Sequence, residues 1–151
     1  MPDLLVNLLK LPAVESQQDF IIRRAQPFEL TAVRNFVATN FSASWADEIS
    51  IGFARQPISV FIATIDRELV GFAAYECTRR GFFGPTGVVE SARGRGIGEA
   101  LLLAALWALR EMGYVYAIIG GAGPVRFYQK RVGAIIIPDS EPGIYTDMLK
   151  K

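Results

Sequence analysis

The sequence predicts an α+β protein, a mixed and mostly antiparallel sheet of about seven strands with helices on its faces. Three observations lead there. β-rich runs bounded by turn residues recur along the chain. Two of them, at 59–65 and 68–77, stand back to back as a hairpin. Strands and helices do not alternate one for one, which argues against a doubly wound parallel sheet. The chain has 151 residues, 51% hydrophobic and 21% charged, which suits one domain, taken here as 1–151, with a real core.

The opening "MPDLLVNLLKLP" is apolar but has no basic n-region and no small-residue cleavage site, and it is too short to span a bilayer. It reads as an arm or extra strand over residues 1–17, on a protein expected to be cytoplasmic and free of the membrane. "DFIIRRA" (19–25) reads as a short strand. From Pro27 to Asn40, apolar residues at Phe28, Leu30, Val33, Phe36 and Val37 approximate helical spacing. Residues 44–54 read as a second helix, with Ser44 as its cap and Asp47 and Glu48 in its first turn.

The hairpin follows, turning at Asp66-Arg67, a weaker turn pair than Asp-Gly. "GFFGPTGVV" (81–89) is the next strand, loosened by glycines and Pro85. A long apolar helix spans 96–112 and ends at Gly113. "YVYAIIGG" (114–121) is a strand, and 123–131 a short helix with Pro124 in its first turn. "AIIIP" (134–138) and "GIYTDML" (143–149) read as two closing strands.

Charge and composition exclude several function classes. Sixteen basic residues face fifteen acidic ones, which argues against a nucleic-acid binder working by blanket phosphate neutralisation. The chain has no histidine, so Ser-His-Asp and Cys-His nucleophile arrangements and the usual mononuclear zinc sites are absent, and no metal is expected. Cys77 is the single cysteine. Nothing in the sequence activates it, so it reads as a buried structural thiol.

The chemistry concentrates at "RGRGIGEALLL" (93–103). Glycines leading into a helix let a ligand approach the main chain, whose free N–H groups and dipole favour an anion, above all a phosphate or pyrophosphate. Arg93 and Arg95 add positive charge. A P-loop needs a Gly-Lys pair that this chain lacks. The dinucleotide fingerprint fails as well, because Gly94, Gly96 and Gly98 are spaced two and two. R-x-x-G-x-G is met in full by Arg93, Gly96 and Gly98.

"VVESARGRGIGEALL", together with "GPVRFYQKRVGA" downstream, resembles the GNAT superfamily of acyl-CoA-dependent N-acetyltransferases over about residues 20–149. The resemblance implies the GNAT fold, with helices on both faces of the sheet. It implies transfer of an acetyl group from acetyl-CoA, as cosubstrate, to a primary amine by direct attack on the thioester. Val88 and Val89 would pair with the pantetheine and offer an oxyanion donor. Arg93, Gly94, Arg95, Gly96, Ile97 and Gly98 would hold the pyrophosphate, and Phe127 would pack beside the cofactor. Tyr128 matches the family's tyrosine that protonates the leaving thiolate.

For the base, Glu76, Glu90 and Glu48 are the carboxylates near the expected cleft. Trp45, Glu48 and Phe83 are expected to bind the acceptor, with Tyr75, Phe82 and Tyr145 as further aromatic candidates and Asp47 beside Glu48 favouring a cationic amine, whether a small molecule or a peptide. Two departures stand out: Gly121 lies where relatives often carry Asn, and Pro124 where a small alanine is common. The same residues also fit a non-catalytic acyl-CoA sensor, or an interaction module assembling through the arm and the closing strands. A homodimer is compatible with each.

Overall fold

A computed structural model describes residues 1–16 and 19–150. Gln17, at the end of the expected arm, and Lys151 lie outside the described residues. The arm supplies β1 (Leu4–Asn7), with Leu4 and Val6 fully buried at alternate positions, and β2 (Ile21–Arg24) follows. Pro27–Glu29 form one 3-10 turn before α1 (Leu30–Asn40). Proline costs nothing there, because the first helical N–H has no partner to lose.

The second helix, α2 (Ala43–Phe53), starts one residue earlier than its sequence pattern indicates. Its cap is Ser42, whose Oγ accepts the Trp45 N–H at 3.1 Å, and not Ser44. Asp47 and Glu48 consequently fall beyond the first turn.

The hairpin of β3 (Val60–Ile65) and β4 (Glu68–Tyr75) turns on Asp66 and Arg67 at φ +50° and +67°, the left-handed pair of a primed turn that matches strand twist. Then come β5 (Phe82–Val88), α3 (Ile97–Glu111), β6 (Tyr116–Ile119), α4 (Val125–Val132) and β7 (Ile135–Ile136). Pro124 stands just ahead of α4 and outside its first turn. The strand expected at 143–149 does not form. Gly143 and Asp147 have φ of +57° and +53°, which break an extended backbone, and the Tyr145 N–H turns back to the Pro142 carbonyl at 3.0 Å.

The sheet has seven strands in the order β2-β3-β4-β5-β6-β1-β7. Every pair is antiparallel except β5 and β6. Period-two alternation divides β4 between two cores: Phe72 and Ala74 join α1 and α2 on one face, while Ala73 and Tyr75 join α3 on the other. This is the mixed, mostly antiparallel sheet with helices on both faces that the sequence predicts. Among the described residues no helix is long and apolar enough to cross a membrane, and no group of three or more His, Cys, Asp or Glu is placed to hold a metal ion.

Gly52 of α2 lies so close to the sheet that an added Cβ would stand 2.8 Å from each of Cys77 Sγ, Ser59 Oγ and Val60 Cγ2. Alanine in a helix normally gains about 1 kcal/mol over glycine, but overpacking a filled core costs about 1–3 kcal/mol. With three buried atoms in the way the clash dominates. Gly52→Ala is expected to lower the urea unfolding midpoint, whereas Gly→Ala at an open helical position would raise it.

Candidate active site

The site arises where β5 and β6 part. They pair only at Phe82–Ile118 and Phe83–Ile119. Beyond that point β6 has ended while β5 runs on to Val88, leaving one edge of Gly84–Val88 without a neighbouring strand. Pro85 has no N–H to offer a ladder, and opposite it the β4 register shifts between Ala73 and Tyr75. A cleft of about 650 Å³ opens in the gap, walled by β5, the start of α3, the 120–124 loop and α4.

Backbone alternation decides which groups face this cleft. The Val89 N–H donates to the Val70 carbonyl of β4 at 2.9 Å. Val88 and Thr86, one and three residues earlier, therefore turn their main-chain polar groups the other way, into the cleft. Arg93 Nε already donates to the Val88 carbonyl at 3.1 Å, which leaves the Val88 N–H as the free donor. Val89 lines neither the cleft nor the loop pocket beside it, so of the two valines expected to meet a ligand, only Val88 is placed to do so.

At one end the cleft meets the glycine loop. Gly94 and Gly96 have φ of +81° and +83°, angles that cost other residues about 1–2 kcal/mol. They swing the chain from a 3-10 turn at Glu90–Ala92 into α3. Gly96 stands at the cap position, and no side chain caps the helix. Among the described residues, the amide N–H groups from Gly94 to Glu99 donate to no protein acceptor. Such an array at the positive end of a fifteen-residue helix is an anion cradle. Val88, Arg93, Gly94, Gly96 and Gly98 line it, as does Arg131 from α4, which forms an ion pair with Glu99 at 3.5 Å. Arg131 carries no sequence signal, because only the fold returns α4 to this loop. Ile97 is 1% exposed and offers its amide while its side chain fills the core. Arg95 instead lines a separate hollow with Pro12 and Glu15.

The opposite wall is held by the chain's first residues. The Gly121 N–H donates to Asp3 Oδ1 at 2.8 Å and the Ala122 N–H to the Pro2 carbonyl at 2.9 Å. Phe127 and Tyr128 extend from α4 into the cleft lining. Tyr128 is 5% exposed, its ring edge-on to Phe83 at 6.2 Å between centroids. Its hydroxyl has no hydrogen-bond partner among the described residues. Burial pushes its pKa up to about 12.

A second cleft of about 640 Å³ adjoins the first and shares Trp45, Phe83, Gly84, Gly120 and Gly121 with it. Glu48, Thr78, Phe82 and Tyr145 complete much of its wall. Gly120 and Gly121 make it possible: a Cβ at 120 would stand 2.9 Å from the Phe82 ring, and one at 121 would stand 3.0 Å from the Tyr145 ring. The paired glycines ending a strand are the sequence signal for this close approach.

Besides Val89 and Arg95, four more expected residues are placed elsewhere. Glu76, at φ +58°, points into the protein and is 4% exposed. One carboxylate oxygen accepts the Gly81 N–H and the other the Tyr114 hydroxyl, so it holds a turn. Glu90 is exposed in the turn after β5 and lines neither cleft. Asp47 is exposed and paired with Arg34 at 3.3 Å. Tyr75 lies stacked on Phe61 and accepts from Arg24 at 2.5 Å, on the α3 face of the sheet. Cys77 is buried, and desolvation raises its pKa, as a structural thiol requires.

Residues 56–131, half of the chain, match a family model described as an acetyltransferase (GNAT) domain. No curated protein matches the chain. Among solved structures, a GCN5-related N-acetyltransferase from Sphaerobacter thermophilus is similar with a TM-score of 0.72 at 20% identity, over 90% of this chain and 48% of that one. The GCN5-related glucosamine N-acetyltransferase region of a fungal multi-domain GH3 β-N-acetylglucosaminidase has a TM-score of 0.72 at 19% identity, over 90% of this chain and 19% of that one. Escherichia coli YhbS, in complex with CoA, has a TM-score of 0.51 at 21% identity, over 68% of this chain and 63% of that one. The chain thus spans less than half the length of the first two, and likeness at these identities is one of fold.

Proposed function

This chain belongs to the GNAT acetyltransferase family, and on that premise we propose that it transfers an acetyl group from acetyl-CoA to a primary amine by direct attack on the thioester. One observation carries this reading: the cleft between the parted strands runs from the unpartnered amides of the glycine loop to the hydroxyl of Tyr128. A pyrophosphate suits the loop, where amides and Arg93 meet its charge without a metal. The cofactor supplies an activated acetyl group, and this chain's residues bind it, orient it and move the protons.

The exposed edge of β5 is a template for the amides of the pantetheine arm, as an added strand would be. The Val88 N–H would donate to the thioester oxygen as charge develops there, a contribution of about 3 kcal/mol in comparable sites. The amine arrives from the second cleft. As its nitrogen bonds to the carbonyl carbon, the carbon–sulfur bond breaks and sulfur takes the electron pair. Tyr128 gives its proton to that thiolate. Burial raises the cost of a charged phenolate, and it would raise the cost of a thiolate in the same cleft, so the two shifts run in the same direction. Neither Glu76 nor Glu90 reaches the cleft. Of the two carboxylates lining the second cleft, Glu141 is paired with the Met1 ammonium, and Glu48 would receive the amine's proton through water.

The test is thiol release from acetyl-CoA on addition of primary amines, with mass spectrometry of the product. Amine-dependent release with an N-acetylated product supports the reading. Binding of acetyl-CoA without turnover of any amine would replace it with a non-catalytic sensor.

Burial of Tyr128 also fixes an alkaline signature. In the unfolded chain its phenol ionises near 10 and in the folded chain near 12. This contribution to stability is complete below pH 10 and is lost as pH rises through 12. By pH 11 wild type should have lost about 1.4 kcal/mol relative to Tyr128→Phe, measured as the difference in urea unfolding free energy between pH 9 and pH 11. An equal pH response in the two proteins would mean that the phenol is open to water.

A further inference from the structure

The second cleft has an unusual charge balance for its lining. Its floor is aromatic, made by Trp45, Phe82, Phe83 and Tyr145. Glu48, a half-buried residue of α2, lines it, and its carboxylate accepts a hydrogen bond from the Thr78 hydroxyl at 2.5 Å. Among the described residues Glu48 has no ion-pair partner, and no lysine or arginine lines this cleft. A half-buried carboxylate without a cation is costly to keep unless a ligand brings the cation. Glu141 stands at the rim with its side chain 57% exposed and pairs with the Met1 ammonium at 3.1 Å, the only cation among the described residues that line this cleft.

Neighbouring groups feel the same field. The Tyr145 hydroxyl has its pKa raised first by burial, then by the charges of Glu48 and Asp3, with Arg79 opposing them. Aromatic faces around a carboxylate attract an ammonium twice, through the ring quadrupole and through the charge. They disfavour an anion, because the Met1 ammonium on this lining is already paired with Glu141 and leaves Glu48 as the unpaired charge.

Resting on the acetyl-transfer reading, we propose that the acceptor is a primary amine on an apolar, aromatic-sized body that carries no carboxylate or phosphate, and that Glu48 enforces this choice. Glu48 meets the ammonium as it enters. The rings of Trp45 and Tyr145 enclose the body, and the amine faces the junction of the two clefts at Phe83 and Gly84. An amino acid presenting its carboxylate beside the same amine would place that anion against Glu48.

Three matched acceptors test this: phenethylamine, phenylalaninamide and phenylalanine, assayed by thiol release with saturating acetyl-CoA. The amide controls for bulk beside the amine. The first two should be acetylated, and kcat/KM for phenylalanine should be roughly 100-fold lower than for the amide. Glu48→Gln keeps an acceptor for Thr78 and a similar volume, and it should narrow that gap to about tenfold or less. Any loss of proton acceptance is common to both substrates and cancels in the ratio. Phenylalanine turned over within about threefold of the amide, or a gap unchanged in Glu48→Gln, would overturn the proposal. Binding of acetyl-CoA with turnover of none of the three would overturn this acceptor class while leaving the cosubstrate reading intact. Failure to bind acetyl-CoA would remove the acetyl-transfer reading, and this inference with it.

Discussion

Tyr128→Phe is expected to lower kcat by roughly 10²- to 10³-fold while the KM for acetyl-CoA stays within about twofold, because general acid catalysis supplies an effect of that size. The substitution removes one oxygen and leaves the ring, so the edge-on contacts with Phe83 and Phe127 persist. That hydroxyl makes no hydrogen bond to any described residue, so no protein partner is left unsatisfied. A structural tyrosine would show the reverse: altered stability at neutral pH and an unchanged rate. Single-turnover measurement of thiol release separates the chemical step from product release. A kcat within threefold of wild type would assign the thiolate's proton to water.

Gly98→Val is expected to weaken acetyl-CoA binding by about 10²- to 10⁴-fold with little change in thermal stability. Gly98 lines both the strand cleft and the glycine-loop pocket. Outside its own helix turn, a Cβ there meets only Val88 Cγ2 among the described residues, at 3.8 Å, an ordinary contact that the fold accepts. The ligand does not, since its phosphates must approach the main chain closely enough to use the amides. Losing two charge-assisted hydrogen bonds, at about 1.5–3 kcal/mol each, accounts for the expected range. Gly96 would be a poorer choice: at φ +83°, any side chain there strains the loop itself. Calorimetric titration checks affinity and a melting curve checks the fold. Retained affinity in a folded Gly98→Val protein would place the anion elsewhere.

The glycine loop was legible in the sequence because its physics is local. Glycines at left-handed angles and free amides at a helix start depend on a few consecutive residues, and so does the turn at Asp66-Arg67. Features set by distant contacts were not legible. Ser42 and Ser44 are equally good caps in "FSAS", and the structure seats Phe41, the residue before Ser42, so closely on Gly87 that an added Cβ there would come within 2.5 Å of its ring. The closing segment has strand composition, yet its φ angles at Gly143 and Asp147 turn it, and Tyr145 packs over Gly120 and Gly121 instead.

The carboxylates show the same division. Glu76 sits beside the expected cleft in sequence, but its left-handed backbone turns it inward to the Gly81 amide and the Tyr114 hydroxyl. Tyr75 alternates with Ala73 onto the α3 face, away from α2 and Trp45. Glu48 reaches the second cleft from a helix that contributes nothing to the glycine loop. Only the assembled sheet brings those two elements to one site.

The most direct measurement is isothermal titration of the purified protein with acetyl-CoA, then with CoA, then with ATP. The pyrophosphate cradle and the strand cleft act together in this account, so acetyl-CoA and CoA should both bind tightly. ATP, which offers phosphates without a pantetheine arm, should bind far more weakly or not at all. Absence of binding by both acetyl-CoA and CoA would contradict the account, and the glycines at 94, 96 and 98 would then be a turn ahead of a core helix.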